Sequence, residues 1–210
     1  MKLILADTNH LVVEAWQQYC SSIDGIVIRK GSIFEQDCQA IVSPGNSFGF
    51  MDGGLDLSIL NFFGLHIQER LQHTIFAQHH GELIVGLAEL INTDHHNIPY
   101  VIAAPTMRVP MILGDSTINV YLAMRAVLLL VKFGTLSDST PLSNIIETVA
   151  VSGLGTGVGK VPPAICARQM RTAIEDIMLN KSTFPNSWVE AQMRHQLLYS
   201  NSSRNLQYPD

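Results

Sequence analysis

The chain is poor in cysteine and in charged side chains. Its 210 residues include three cysteines, Cys20, Cys38 and Cys166, which lie far apart and form no CxxC pair. This odd, dispersed set favours buried thiols in a reduced, cytoplasmic protein over a disulfide framework. Only 15% of the residues are charged and the formal net charge is -5, which argues against nonspecific binding to a nucleic-acid backbone. An anionic ligand would have to be held by backbone amides and helix N-termini.

Long apolar runs are also missing. The apolar run within the N-terminal MKLILADTNH is too short for a signal peptide and lacks a small-residue cleavage site. The longest apolar stretch, residues 123–133, is interrupted by Arg125 and Lys132 and is too short to span a membrane. This stretch predicts a core helix, and we expect no membrane partner for the chain.

Apolar residues are abundant but fall in short segments. They make up 47% of the chain, which is enough for the buried core of one α/β domain. Their patterns predict strands at residues 2–6, 25–28, 39–43, 82–91, 100–104 and 145–152. Helical spacing predicts helices at residues 10–20, 56–71, 116–133 and 162–179. This alternation implies a mixed or parallel sheet that is covered by helices on both faces.

Helix starts and the C-terminal composition complete this outline. Asp56 or Ser58 is suited to begin the second predicted helix, and Asp115 or Ser116 is suited to cap the third. Residues 181–210 are rich in Asn, Ser and Gln. We therefore predict a domain at residues 1–180 and a loosely attached polar extension, with a short helix at 188–198.

Two segments share one design, in which a strand leads through a glycine-rich loop into a helix. They are residues 41–56 and residues 149–162. Glycine lets backbone N–H groups approach a ligand closely, and amides ahead of a helix N-terminus form a phosphate cradle. Two such loops at the carboxyl ends of strands could clamp a diphosphate, although each could also be a plain tight connection. The second loop has neither the GxGxxG spacing of a Rossmann fold nor the Walker spacing.

Several short motifs together resemble the macro domain family. They are Gly31-Ser-Ile33, Ala40-Ile-Val42, Asn46, Gly53-Gly-Leu-Asp56 and Gly155-Thr-Gly-Val158, in the order and spacing of the family's motifs. Pro162 also falls where the family has a proline, and the resemblance spans about residues 25–180. The resemblance implies a three-layer α/β/α macro domain with a central mixed, mostly parallel sheet. It also implies ADP-ribose, or an ADP-ribosylated protein, as the partner, without a metal or another cofactor.

The resemblance implies roles for individual residues. Residues 53–56 would hold one side of the diphosphate and its ribose, and residues 155–158 would wrap the diphosphate with backbone amides. Asn46 would bind the distal ribose hydroxyls, which suits an amide with donors and an acceptor. Asp56 matches the acid that MacroD-type hydrolases use to position or activate water. The implied ligand-binding set is Ser32, Ile33, Asn46, Gly53, Gly54, Leu55, Asp56, Gly155, Thr156, Gly157, Val158 and Gly159.

These roles imply hydrolysis of ADP-ribosyl esters, on a protein side chain or as O-acyl-ADP-ribose, with Asp56 and Asn46 as catalytic residues. A binding module without catalysis is the alternative. Asp56 could also simply cap its helix, and Asn46 could simply hold a turn after residues 44–45.

Four departures from the family pattern bear on the chemistry. Ser32 replaces the acid that contacts the adenine amino group, and Ser43-Pro-Gly45 replaces Asn-Ala-Ala. Leu57 replaces a glycine and is expected to crowd the space for water, and Gly159 replaces an aromatic residue. Phe48 or Phe50 could supply that aromatic surface or could belong to the core.

The remaining candidates favour structural roles. His79-His80 and His95-His96 lack the spacing of a known metal site, so surface or loop positions are expected. Cys166 follows a helix start but has no identifiable histidine partner, so helix packing is expected. Arg108 could assist an anionic ligand, although a solvated position is favoured.

Overall fold

Strands and helices alternate along the chain in the computed structural model, which describes residues 1–207. The strands are β1 (Lys2–Asp7), β2 (Ile26–Lys30), β3 (Ala40–Ser43), β4 (Glu89–Asn92), β5 (Tyr100–Ala103) and β6 (Thr148–Val151). The α-helices are α1 (His10–Cys20), α2 (Gly54–Phe63), α3 (His66–His79), α4 (Asn119–Phe133), α5 (Pro163–Ile177) and α6 (Trp188–Gln196).

The strands form one sheet in the order β2-β1-β6-β3-β5-β4, in which every pair is parallel except β4 with β5. The central strands β1, β3 and β6 are apolar and buried, as a sheet covered on both faces requires. One face packs on α1, α4 and α5, and the other face packs on α2 and α3. The predicted three-layer α/β/α fold with a mixed, mostly parallel sheet is therefore confirmed.

Two glycines account for the main errors in the predicted elements. The helix predicted at 56–71 is two helices, α2 and α3, because Gly64 adopts a φ of 103° that ends α2. The strand predicted at 82–91 is confined to β4, because Gly86 adopts a φ of 102° and turns the chain before the strand begins. Helix α2 also begins at Gly54, ahead of the predicted starts Asp56 and Ser58.

Helix α4 is capped by a residue that is distant in sequence. The helix begins at Asn119, so neither Asp115 nor Ser116 caps it, and its N-cap residue makes no side-chain bond. Gln169 of α5 replaces that bond: its Oε1 accepts from the N–H of Tyr121 at 3.0 Å, and its Nε2 donates to the carbonyl of Thr117 at 2.6 Å. Because Gln169 is fully buried, both bonds also satisfy its own amide, which water cannot reach.

Replacing Gln169 with leucine is expected to lower the free energy of unfolding by about 2 kcal/mol, since two partly buried backbone groups at the start of α4 lose their partners. Chemical denaturation checks this value. Gln18→Leu is the matched control, because Gln18 is an exposed residue of α1 and its substitution should change stability by less than about 0.5 kcal/mol. Equal stability losses in the two variants would contradict a capping role for Gln169.

The C-terminal segment contains α6, in agreement with the predicted short helix. It is attached to α5 through Arg168, which donates to the carbonyl of Ser200 at 2.6 Å, and Leu198 is buried. These contacts hold residues 198 and 200 against the domain, while the boundary at residue 180 and the loosely attached extension stay predictions. None of the helices within residues 1–207 is both long and apolar enough to cross a membrane.

Candidate functional site

A cavity of about 700 Å³ opens at the carboxyl ends of β1, β3 and β6. In open α/β sheets this edge is where ligands bind. Both glycine-rich loops border the cavity, as does the connection that leaves β5. The predicted residues that line it are Ser32, Ile33, Asn46, Gly53, Gly54, Leu55, Asp56, Gly155, Thr156, Gly157, Val158 and Gly159. The fold thus brings every member of the predicted site into one cavity.

The second loop presents unused backbone donors. Its turns are closed by Thr156 N–H to the Gly153 carbonyl and by Val161 N–H to the Gly155 carbonyl. Within residues 1–207, no hydrogen bond is donated by four N–H groups of this loop, those of residues 155, 157, 158 and 159. Successive free amides in a loop form an anion-binding concavity, so this wall of the cavity can hold phosphate oxygens.

The first loop adds the positive end of a helix dipole. Helix α2 begins directly from the loop, and its N-cap residue Gly53 provides no side-chain acceptor. The N–H groups of Gly54, Leu55 and Asp56 therefore find no acceptor among the described residues. Since the amides of a helix N-terminus attract anions, both loops offer the same chemistry to one ligand.

No cationic side chain assists these amides. The residues that line the cavity, all within the described chain, include Asp7, Asp52 and Asp56 but no lysine, arginine or histidine. Arg108, which the sequence left as a candidate, forms an ion pair with Glu82 at 2.7 Å and does not line the cavity. An anion bound here would be held by backbone groups, as the low content of basic residues predicts.

Asp56 is buried at the cavity floor with its side chain 8% exposed. Its Oδ1 accepts from the Ser43 hydroxyl at 2.7 Å, while its Oδ2 receives no hydrogen bond from residues 1–207. Burial raises the pKa of this carboxyl to about 6; the bond from Ser43 opposes the shift and the nearby Asp52 charge adds to it. Asp56 does not cap α2. It is instead a carboxyl whose pKa lies close to neutrality.

Gly45 lies directly against this carboxyl. A Cβ on Gly45 would stand 2.3 Å from Asp56 Oδ2, so a larger residue would displace the carboxyl. The backbone here is fixed, because Thr106 donates its N–H to the Gly45 carbonyl and its hydroxyl to the Pro44 carbonyl. The Ser-Pro-Gly segment that departs from the family pattern therefore shapes the surroundings of Asp56.

Replacing Asp56 with asparagine is expected to stabilise the protein at neutral pH. Because the folded pKa is raised from 3.8 to about 6, the contribution of Asp56 to stability is present below pH 3.8 and is lost as the pH rises through 6. A neutral amide escapes that loss, which corresponds to about 3 kcal/mol. Chemical denaturation at about pH 7.5 should show the gain and at about pH 4 should show little; equal gains at both would contradict the assignment.

The side chain of Asn46 is largely committed to its own loop. Its Nδ2 donates to the Phe50 carbonyl at 2.8 Å, and its Oδ1 accepts from the N–H groups of Phe48 at 3.1 Å and Phe50 at 3.3 Å. These bonds support the interpretation that Asn46 holds a turn. One N–H of the amide remains for a ligand, so its predicted role toward a ribose is reduced to a single donor.

The departures at Leu57 and Gly159 have different consequences from those expected. Leu57 is 40% exposed and does not line the cavity, so the expected crowding by this residue is wrong. Gly159 leaves no room for a side chain, since its Cβ would lie 2.6 Å from the Gly155 carbonyl oxygen. Phe50 lines the cavity and is 55% exposed, whereas Phe48 lies beneath the Arg108 guanidinium. Of the two phenylalanines considered, Phe50 is thus the one that offers an aromatic surface to a ligand; Phe34 also lines the cavity.

Asp7 is a cavity residue that the sequence analysis missed. Its Oδ2 accepts from the N–H of Gly153 at 2.9 Å, and its Oδ1 accepts from the N–H of Asn9 at 2.8 Å. The carboxylate therefore ties the end of β1 to the start of the second loop. The sequence carries a signal for this residue, because the polar segment Asp-Thr-Asn directly follows the apolar run at residues 3–6.

Ser32 caps a short 3₁₀ turn by accepting from the N–H of Phe34 at 3.2 Å.

The other sequence candidates lie outside the cavity. His79 contacts Glu89 at 2.7 Å, and the His95 ring packs beside Phe62. Within residues 1–207, no group of three or more His, Cys, Asp or Glu side chains is placed to hold a metal ion. Cys166 is fully buried, which raises the pKa of its thiol, so it packs in the core as predicted. Cys20 and Cys38 are buried as well.

Comparisons with known proteins agree with the fold. The model of the Macro-like domain family matches residues 6–201. An uncharacterized protein of Aquifex aeolicus (strain VF5) is 36% identical over 145 residues, which cover 69% of this chain and 78% of that protein. The macrodomain of Mycobacterium tuberculosis DarG has a TM-score of 0.56 at 17% identity, over 70% of this chain and 87% of that one. The Oceanobacillus iheyensis macrodomain with ADP has a TM-score of 0.57 at 18% identity, over 72% and 75% of the two chains.

Proposed function

Because this chain belongs to the Macro-like domain family, we propose that it binds ADP-ribose in the cavity between its two glycine-rich loops. The observation that carries the proposal is that two sets of backbone amides without an acceptor in residues 1–207 border one cavity, those of residues 155, 157, 158 and 159 and those at the start of α2. Each set suits one face of a diphosphate. The ligand would be free ADP-ribose or the ADP-ribosyl group of a modified protein.

The size and lining of the cavity support this ligand class. Its volume of about 700 Å³ lies within the range of about 300 to 1,000 Å³ that is usual for small-molecule sites. Phe50 offers an apolar face to a ring, and three carboxylates offer acceptors to hydroxyl groups. The O. iheyensis macrodomain, which has a similar fold, is known with ADP and, as a mutant, with ADPR.

The experiment that tests this proposal is a calorimetric titration with ADP-ribose, accompanied by titrations with ADP and with ribose 5-phosphate. We expect ADP-ribose to bind more tightly than either fragment, because it alone combines a diphosphate for the two loops with a terminal ribose that can reach the carboxylate floor. Absence of binding at millimolar ADP-ribose would refute the proposal. Equal affinity for ADP and ADP-ribose would place the terminal ribose outside the cavity.

A second function, hydrolysis of ADP-ribosyl esters, is favoured by one observation: the free Oδ2 of Asp56. A buried carboxyl with a pKa of about 6 is ionised at neutral pH and matched to accept a proton from water. In this proposal Asp56 orients the water that attacks the ester and takes a proton from it. The C–O bond between ADP-ribose and the acyl group breaks, ADP-ribose and the carboxylic acid are released, and the proton held by Asp56 returns to the product. Asn46 contributes its single remaining donor. The test is the turnover of a mono-ADP-ribosylated protein, and a wild-type protein that binds ADP-ribose without turnover would be a binding module.

A further inference from the structure

The hydroxyl of Ser43 is hydrogen-bonded to the buried carboxyl of Asp56 at the floor of this cavity. Ser43 is the last residue of β3, is 2% exposed, and donates to Oδ1 of Asp56 at 2.7 Å. Among the described residues, it is the only side chain that donates a hydrogen bond to this carboxyl. The other carboxyl oxygen, Oδ2, lies against the backbone of Gly45 and accepts no bond from residues 1–207. The two oxygens of one carboxyl are thus in different situations.

We propose that Ser43 is a positioning residue, which holds Oδ1 of Asp56 on the strand side and leaves Oδ2 to act on water or on a ribose hydroxyl. The inference rests on the proposed function, since it concerns how Asp56 is prepared for its role there. A carboxyl without this bond could rotate about its Cβ–Cγ bond, because that torsion is broad. A single donor on one oxygen removes that freedom.

Among the described side chains around Asp56, only that of Ser43 donates a hydrogen bond that can hold the carboxyl in place. The residues behind the carboxyl, contributed by α3, β5 and the chain between α3 and β4, include Leu71, Ile75, Leu83 and Ala103 and carry no ionisable group. Asp52, from the loop before α2, is the charged group that faces Asp56, and it favours the protonated form. Burial favours that form as well. Within the described chain, the Ser43 hydroxyl is therefore the side-chain group that favours the ionised carboxyl.

The test compares Ser43→Ala, which removes the hydroxyl, with Ser43→Thr, which keeps it. Ser47→Ala is the matched control, because Ser47 is equally buried and its hydroxyl has no partner within residues 1–207. The first readout is the titration of the Asp56 carboxyl carbon by NMR in the ligand-free protein. We expect Ser43→Ala to move this titration upward by about one pH unit, while Ser43→Thr and Ser47→Ala leave it in place.

The second readout is the pH profile of kcat with an ADP-ribosyl ester. In Ser43→Ala we expect the acidic limb to move upward with the carboxyl titration and kcat at neutral pH to fall on the order of tenfold. The KM and the affinity for ADP-ribose should stay within about threefold of wild type, since the amides that hold the diphosphate are untouched.

The outcomes separate this inference from the proposed function. An unchanged Asp56 titration in Ser43→Ala overturns the inference whether or not the protein is an enzyme. Loss of ADP-ribose binding in Ser43→Ala also overturns it, because Ser43 would then support the cavity as a whole. Absence of turnover in the wild type overturns the proposed hydrolysis, and the NMR titration still decides the role of Ser43.

Discussion

Replacing Asp56 with asparagine is expected to lower kcat for an ADP-ribosyl ester by at least about a hundredfold, the scale on which a positioned general base contributes. Asparagine keeps an oxygen that can accept from Ser43, so the geometry of the floor is retained while the proton acceptor is lost. Affinity for ADP-ribose should remain within about threefold, because the loop amides are unaffected. The measurements are steady-state turnover and calorimetry on the same preparation.

Asp24→Asn is the control for the chemical change, since Asp24 is exposed and does not line the cavity. It should retain wild-type kcat. Wild-type turnover by the Asp56 variant would remove Asp56 from the mechanism. Together with the higher stability expected of the same variant at neutral pH, a loss of turnover would show that the buried carboxyl is retained at a cost to the fold.

Replacing Gly159 with alanine is expected to weaken ADP-ribose binding by about a hundredfold, since small displacements of positioned groups have effects of this size. The added Cβ would stand 2.6 Å from the Gly155 carbonyl oxygen and 2.9 Å from Leu113 Cδ1. The same segment is held by the N–H of Leu113, which donates to the Gly159 carbonyl at 2.8 Å. Relief of the clash must therefore move the backbone whose free amides would hold the diphosphate.

Gly157→Ala provides the comparison within the same loop. A Cβ at Gly157 meets no atom within 4 Å, and its φ is not positive, so the backbone can stay in place. We expect this variant to lose much less affinity than Gly159→Ala. Calorimetry at a temperature where circular dichroism shows both variants folded measures the difference. Equal affinities would argue against a role for the second loop's backbone in holding the ligand.

Local features of this protein could be predicted from its sequence because short-range physics fixes them. The glycine-rich loops follow apolar strands, and parallel strands bring their carboxyl ends to one edge. That reasoning brings the two loops, residues 41–56 and 149–162, to one edge of the sheet, and in the structure both loops line one cavity. Helix α1 has the bounds that its apolar spacing predicts, because that spacing is a local signal.

Partners of side chains could not be predicted, because they depend on packing between distant segments. Ser43 meets Asp56 across the whole first loop, and Gln169 reaches the start of α4 from another helix. The number of bonds that Asn46 spends on its own loop also depends on how that loop folds. Leu57 was misjudged for the same reason: the sequence gives its position beside Asp56 but not the direction of its side chain.

No lysine, arginine or histidine lines the cavity in the described chain, and this affects the rate at which an anionic ligand associates. A negatively charged ligand that approaches a protein of net charge -5 meets repulsion before it reaches the loop amides. Added salt screens this long-range repulsion but weakens the short contacts to the loop amides much less. Association should therefore become faster as ionic strength rises, the reverse of sites built on lysine and arginine. Selectivity would then rest on how long a ligand stays bound.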